Sequence, residues 1–516
     1  MSEPPKYKSS NKRIAKNTLY LYMRMLMVMV VSLFTVRVVL NALGAEDYGI
    51  NNVVGGFITM FAFLTSTLNS ASLRFFSYNI GKNDQERLSQ YFTMSFWCFV
   101  IIAGIIFVLA ETVGLWFVMN KLTIPENRMD AAFWVFQFSI FTFLLKIIAI
   151  PYNSIVIAHE RMNMYAILGV IECFLKLAVA YLIIISPFDK LKFYTVFMFL
   201  FGAIVDSYYF IYGLKNFPEC RIKRFWNQKI FGEIAHFSGW TLFGAISGVF
   251  RSQGINILLN MFFNPVVNAA RAIAFQVNSQ INGFVMNFYK AVQPQITKSY
   301  GAGDLASMHS LVLRSSRFCF YLILILSMPV LLETNFILTV WLKNVPDNTV
   351  LFTRLVVITA IVDSTAYPLQ TSISATGKIK YFQIVTGGLL LMNLPVAWCF
   401  LHFGYPPQVT MYIAITISII AQITRIGFAH KYTDLGFVIY LKEVVATILL
   451  VTILAYIFPA IAHLYFAENF TRFLLVCIIS VCSCGSAIYS IGMNERERVY
   501  IKDFISKKTH GIRNHK

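Results

Sequence analysis

The sequence predicts an all-α polytopic membrane protein of about fourteen transmembrane helices, in two parallel six-helix repeats followed by two further helices. Three observations predict it. Of the 516 residues, 57% are hydrophobic and only 13% charged, with a mean hydropathy of +0.65, which is far too apolar for an ordinary soluble domain. The apolar residues gather in runs long enough to cross a bilayer, which takes about 20 helical residues. Short motifs then recur along the chain at offsets near 220.

Fourteen runs qualify, roughly at 18–40, 50–78, 90–118, 131–156, 163–186, 192–214, 236–262, 266–297, 308–332, 350–374, 380–401, 408–430, 440–463 and 471–492. The first follows a polar, basic segment and is long enough to span, so it is not read as a cleavable signal. The eight cysteines fall mostly inside apolar runs without ligand spacing, as small buried hydrophobes do, and no metal is expected.

Charge sets the orientation. The side shared by both termini carries roughly 25 lysines and arginines and the opposite side roughly six, which predicts cytoplasmic termini. This bias accounts for the net charge of +19 without a nucleic-acid partner.

Internal repetition sets the organisation. "SYNIGKND" from Ser77 answers "SYGAGD" from Ser299 at an offset of 222, and Asn41 answers Asn260 at 219. "IPYNSIVIAHERMNMY" lines up with "YPLQTSISATGKIKYF" at 217. A six-span unit returns the chain to its starting side, so the copies are parallel. The expected organisation is a basic cytoplasmic tail at 1–17, a first bundle at 18–214, a linker at 215–235, a second bundle at 236–430, two additional helices at 431–492 and a basic tail at 493–516. All outer loops are short, which disfavours an enzyme acting on extracellular polymer, such as a polysaccharide polymerase or ligase.

Charged residues inside spans cost on the order of 3 kcal/mol or more and normally face a polar interior. The basic candidates are Arg24, Arg37, Arg74, Lys146, Arg251, Arg271 and Lys290, and the acidic ones are Glu111, Glu172, Asp206 and Asp363. Arg24, Arg74 and Lys290 lie near a cytoplasmic end, where a long side chain can snorkel. Glu172 and Lys176 stand at i and i+4, where an ion pair explains both. Asp206 and Asp363 could couple H⁺ or Na⁺, or could pair with a basic neighbour.

Arg251, in "SGVFRSQGINILLN", is roughly 20 Å of helix from either end of its span, too far to snorkel comfortably. It is expected to line a hydrated cavity unless Asp206 or Asp363 neutralises it. Span 266–297 supports the cavity reading with Asn268, Arg271, Gln276, Asn278, Gln280, Asn282 and Asn287, of which Arg271, Asn278 and Asn282 share one helical face. Asn256 and Asn260 extend this polar surface. A cavity rich in cations suits an anion, and arginine and lysine both suit phosphate. Gly244 and Gly248 form a GxxxG that helix packing alone explains. Pro151, Pro265, Pro294 and Pro368 mark bends.

The motifs "LNALGAEDYGINNVVGGF", "SLRFFSYNIGKND", "PQITKSYGAGD" and "ATGKIKYF", on a 6+6+2 plan, resemble the bacterial polysaccharide-exporter branch of the multidrug/oligosaccharidyl-lipid/polysaccharide superfamily. The resemblance covers nearly the whole chain. It implies a V-shaped pair of bundles that flips undecaprenyl-pyrophosphate-linked oligosaccharide across the cytoplasmic membrane by alternating access, for O-antigen, capsule or exopolysaccharide synthesis. By position, Arg251, Arg271, Arg24 and Lys146 are its candidates for holding the anionic head, with Arg37, Lys290, Asn256, Asn278 and Asn282 beside them. Asp206, Asp363 and Glu172 are the candidates for ion coupling. The expected partners are the lipid-linked oligosaccharide, membrane lipids and other polysaccharide-assembly proteins, with no cofactor beyond a coupling ion. The alternative is a cation-coupled multidrug exporter of the same superfamily. The resemblance implies acids in the first bundle for that activity, and span 18–40 has none.

Overall fold

The protein is described here from a computed structural model, which covers residues 5–59, 61–121, 124–223, 225–263, 265–342, 345–495 and 497–499. These residues are helical throughout apart from short turns. Eleven helices among them are long and apolar enough to cross a membrane, or twelve if one bent pair counts as a single span. The count of fourteen is therefore not reproduced on composition alone. The two expected spans outside this set, 50–78 and 266–297, are the polar ones. The latter is a continuous 37-residue helix, α9 (Pro265–Gly301), so its polarity and not its length sets it apart.

By contact density the chain forms two compact units. The first is Met1–Ile246 with Lys290–Leu305, and the second is Ser247–Tyr289 with Ala306–Lys516. The dividing points lie inside α8 (Gln228–Phe262) and α9.

In the first unit, α1 (Pro5–Thr59) packs on α6 (Met162–Ile185), while α5 (Met129–Ala158) packs on α2 (Ala62–Gly81) and α7 (Lys190–Asn216). The stretch 41–49, left between the expected spans 18–40 and 50–78, is helix broken at Gly44, whose φ of 80° and ψ of 170° suit glycine. Fully buried Phe76, Phe92 and Tyr152 form the aromatic centre, with the Phe92 and Tyr152 rings edge to face at 5.0 Å.

In the second unit, α8 and α9 pack with α12 (Thr349–Ser364), α15 (Asn393–His402) and α16 (Val409–Thr433) around Leu259, Ala270, Phe352 and Met411. A Cβ on Gly254 would overlap Leu394, whereas Gly248 has nothing within 4 Å. Close approach along α8 thus occurs at Gly254 and not at the second glycine of the GxxxG.

The repeated motifs fold alike. After α2, backbone bonds run from Lys82, Asn83 and Asp84 to the carbonyls of Tyr78, Ile80 and Asn79. After α9, they run from Ala302, Gly303 and Asp304 to those of Lys298, Tyr300 and Ser299. The structural offset is 220, two less than the letter match. The left-handed residue is Asn83 in one turn (φ 55°) and Gly303 in the other (φ 76°), two residue types that tolerate this region. The pair at 217 matches as aligned, with Glu160 (φ 62°) and Gly377 (φ 78°) left-handed at the same place.

Arg128, at the start of α5, ties three segments together. It grips Asp47 with Nη2 and Nε at 2.6 and 2.8 Å and Asp189 with Nη1 at 2.6 Å. Asp189 also caps α7 by accepting from the Leu191 and Lys192 amides. Burial alone would raise the Asp189 carboxyl, but its bonds to Arg128 and the Lys192 amide outweigh that and hold it below the usual carboxylate range. A depressed carboxyl stabilises the fold above the ordinary pKa of about 4 and loses that contribution as pH falls through its folded value. Arg128→Gln is therefore expected to lower Tm near neutrality, with the gap to the parent narrowing below pH of about 4. A gap that stays constant from neutrality to acid in thermal unfolding would refute the role of the triad.

Candidate functional site

Arg251 lies three turns before the end of α8, about 16 Å along the axis. It is half-buried, and its Nη2 donates to Ser418 Oγ on α16 at 3.3 Å. Ser418 Oγ is in turn 3.3 Å from Asp363 Oδ2. Asp363 has its own cation, since Arg425 Nη1 stands 3.8 Å from Asp363 Oδ1. The neutralisation of Arg251 by Asp363 considered from sequence is thus indirect, through a hydroxyl. Arg251 makes no ion pair among the described residues.

Arg271 is almost fully buried on α9. Its Nη1 donates to Asn256 Oδ1 on α8, and its guanidinium lies 4.3 Å from the Phe275 ring. Its Nε is buried without a hydrogen bond. Arg251 is near enough to interact electrostatically with both Arg271 and Arg425. Among the described residues the second unit therefore places Arg251 between two further guanidinium groups, of which only that of Arg425 has a carboxylate within ion-pair distance.

Arg425 was missed in the sequence because it stands near the end of a span. The signal was present in "SIIAQITR": Ser418, Gln422 and Arg425 are spaced i, i+4, i+7 and share a face of α16. Opposite them the span is bent by 40° between α12 and α13 (Ala366–Thr376), at Thr365. Pro368, expected to mark a bend, lies just beyond it and has no N–H to give the Ser364 carbonyl. Gln422 Nε2 donates to Thr365 Oγ1 at 2.9 Å, and Tyr440 OH donates to the Thr365 carbonyl at 3.4 Å.

The other polar residues of α9 are divided. Asn282 Nδ2 donates to Asn278 Oδ1 at 2.8 Å, so these two candidates satisfy each other. Neither bonds to Arg271.

The first unit contains a separate cationic group. Lys290 Nζ donates to Tyr165 OH at 2.6 Å and sits 4.0 Å from its ring centroid. Arg24 covers the same ring at 4.5 Å. Gly169 makes room for it, because a Cβ there would overlap Arg24 Nε. Arg24 and Lys290 have no carboxylate within ion-pair distance among the described residues. Sequence reading named both cations but not Tyr165, a polar aromatic of unremarkable type next to a turn.

Of the remaining candidates, Glu172 is near enough to interact electrostatically with Arg24 and Lys146. Glu172 pairs with Lys176 at 2.7 Å, as the i, i+4 spacing predicted. Asp206, on α7, is half-buried and makes no hydrogen bond among the described residues, with Lys146, Glu172 and Lys176 as its charged neighbours. Lys146 and Arg37 are exposed and bond to nothing among the described residues. The structure does not bring Arg37 together with any of the other candidates.

This arrangement of helices defines an all-α, multi-pass membrane fold. More particularly, it is the fold of MATE transporters of the MOP superfamily. A MATE protein solved in complex with MaD3S superposes with a TM-score of 0.70 at 13% identity, over 84% of this chain and 97% of that one. An outward-facing multidrug resistance MATE transporter of the MOP superfamily gives 0.69 at 12%, over 82% and 96%. A MOP superfamily transporter from Pyrococcus furiosus, described as having a binding pocket of reverse polarity that suggests a different function, gives 0.69 at 12%, also over 82% and 96%. No family model matches the sequence, and no curated protein matches it significantly.

Proposed function

We propose that the protein is a membrane transporter working by alternating access, and that it moves an amphiphile with an anionic head. The expected substrate is undecaprenyl-pyrophosphate-linked oligosaccharide, flipped across the bacterial inner membrane from the side of the cytoplasmic termini. The observation that carries the charge of the substrate is the surplus of cations: among the described residues Arg425 pairs with Asp363, while Arg251 and Arg271 bond to neutral partners, Ser418 and Asn256. A phosphate offers what the guanidinium N–H groups lack, and buried cations without partners are costly. Arg24 and Lys290 in the first unit favour the same sign of ligand.

A second reading, cation-coupled multidrug export, has the better support from the fold, since the similar solved structures include transporters described as MATE and multidrug resistance proteins. Asp206 favours it too, as a half-buried acid of the first unit that makes no hydrogen bond among the described residues. At 12–13% identity the likeness reaches the fold and not the substrate. The two readings differ in the sign of the cargo. Reconstituted in liposomes, the full-length protein is expected to move a fluorescent pyrophosphate-linked oligosaccharide lipid between leaflets and to leave a quaternary ammonium dye where it is. Movement of the dye, driven by a proton or sodium gradient, with none of the lipid would establish the second reading.

A further inference from the structure

The turns that repeat at an offset of 220 meet each other within the first unit. A Cβ on Gly81 would overlap the carbonyl oxygen of Lys298, and one on Gly301 would overlap that of Tyr78. Both pairs are related by the same offset, so the ends of α2 and α9 cross as pseudo-two-fold mates, backbone against backbone. The Tyr78 and Tyr300 rings lie beside the crossing, 6.1 Å apart. Glycine at both crossing points leaves no side chain to interdigitate there.

One ionic element sits on this crossing without a symmetry mate. Glu160, in the turn between α5 and α6, accepts from Gln295 Nε2 at 3.0 Å with Oε2 and from Lys298 Nζ at 2.6 Å with Oε1. Its side chain is 8% exposed. The repeat equivalents of Glu160, Gln295 and Lys298 are Gly377, Phe75 and Tyr78, none of which carries a charge. The ionic contact therefore does not follow from the pseudo-symmetry of the two repeats. It grips α9 immediately after Pro294, which lacks the N–H that would complete the helical ladder at that point.

We propose that Glu160, Gln295 and Lys298 form a reversible latch that holds the last turns of α9 against the turn between α5 and α6, within the first unit, and opens at Pro294 during transport. Only the purpose of the opening rests on the transport reading. A charged clasp over a smooth glycine crossing suits a contact that is made and broken, since its groups can return to water or headgroups when it parts.

The test uses carbodiimide, which joins a carboxylate and an amine in direct contact, on the full-length protein in nanodiscs. Lys298→Arg keeps the ion pair but cannot form the amide, while every other carbodiimide target is unchanged. In the parent protein, peptide mapping is expected to find the Glu160–Lys298 isopeptide, and amide exchange over residues 295–301 is expected to slow about tenfold on treatment. Treated Lys298→Arg should exchange as before. Failure to form the isopeptide, or its formation without slower exchange, would overturn the latch and leave a static contact. In liposomes, treatment should stop transport by the parent and spare Lys298→Arg. If neither protein transports while the exchange difference holds, the transport reading fails and the latch stands.

Discussion

The Arg251→Ala protein is expected to fold and reach the membrane but to transport about tenfold to a hundredfold more slowly than the parent. A hydrogen bond from a charged donor is worth about 1.5–3 kcal/mol, and each 1.4 kcal/mol is a factor of ten. Among the described residues Arg251 makes one bond, to Ser418 at 3.3 Å, so little stability should be lost with it. Arg251→Lys keeps the charge without the two-pronged geometry and should recover part of the rate. The relation with Asp363 gives a sharper check. Arg425→Met removes the cation that pairs with Asp363 and leaves that carboxylate to act on Arg251 through Ser418, so transport should fall. Adding Asp363→Asn to Arg425→Met should restore most of it. Initial rates in liposomes at matched protein levels decide the matter. A fully active Arg251→Ala, or a double variant no better than Arg425→Met alone, would remove this group from the substrate path.

Glu333→Ala should be the most destabilising single change among the ionic contacts described. The Glu333 side chain has no exposure and bonds to His463 Nδ1 at 2.9 Å and to Arg472 Nη2 at 2.9 Å. It sits between α10 (Leu305–Leu332) and α11 (Thr334–Leu342) and fastens to them the pair α18 (Thr447–Tyr465) and α19 (Phe470–Ala487), which pack on each other. Its loss leaves Arg472, only 10% exposed, with Glu468 at 3.8 Å and the Phe466 carbonyl at 3.3 Å. Removing one member of a buried pair costs about 3–5 kcal/mol, because the remaining charge stays desolvated. Replacing both by methionine should cost far less, since no orphan charge remains. Thermal unfolding of the purified protein separates the cases. Equal melting of Glu333→Ala and the double variant would show that the carboxylate matters for something other than its charge.

Neither Glu333 nor Arg425 stood out in the sequence, and the reason is the same for both. Each is near a span end, where a charge looks as though it faces headgroups, and only the packing of distant helices turns it inward. Glu333 meets partners 130 and 139 residues away. Arg251 drew notice because its position along one helix was costly by itself, and the Glu172–Lys176 pair was legible because both partners lie within a single turn. Asn278 and Asn282 were read as part of a binding surface, yet their helical spacing was equally an instruction to bond to each other.

The sequence by itself determined the helical membrane class, the polar character of α9 and the repeat. Hydropathy is a property of the chain, and a turn such as Gly-Lys-Asn-Asp carries its left-handed residue and its following Asp wherever it goes. The same locality explains why both copies of each turn adopt the same backbone. Only the tertiary structure decided that Asp363 answers Arg425, that Tyr165 gathers Arg24 and Lys290, and that Glu160 clasps Lys298. Inside a membrane, a charge is defined by what stands within a few ångströms of it, and that neighbour comes from whichever helix the fold has placed alongside.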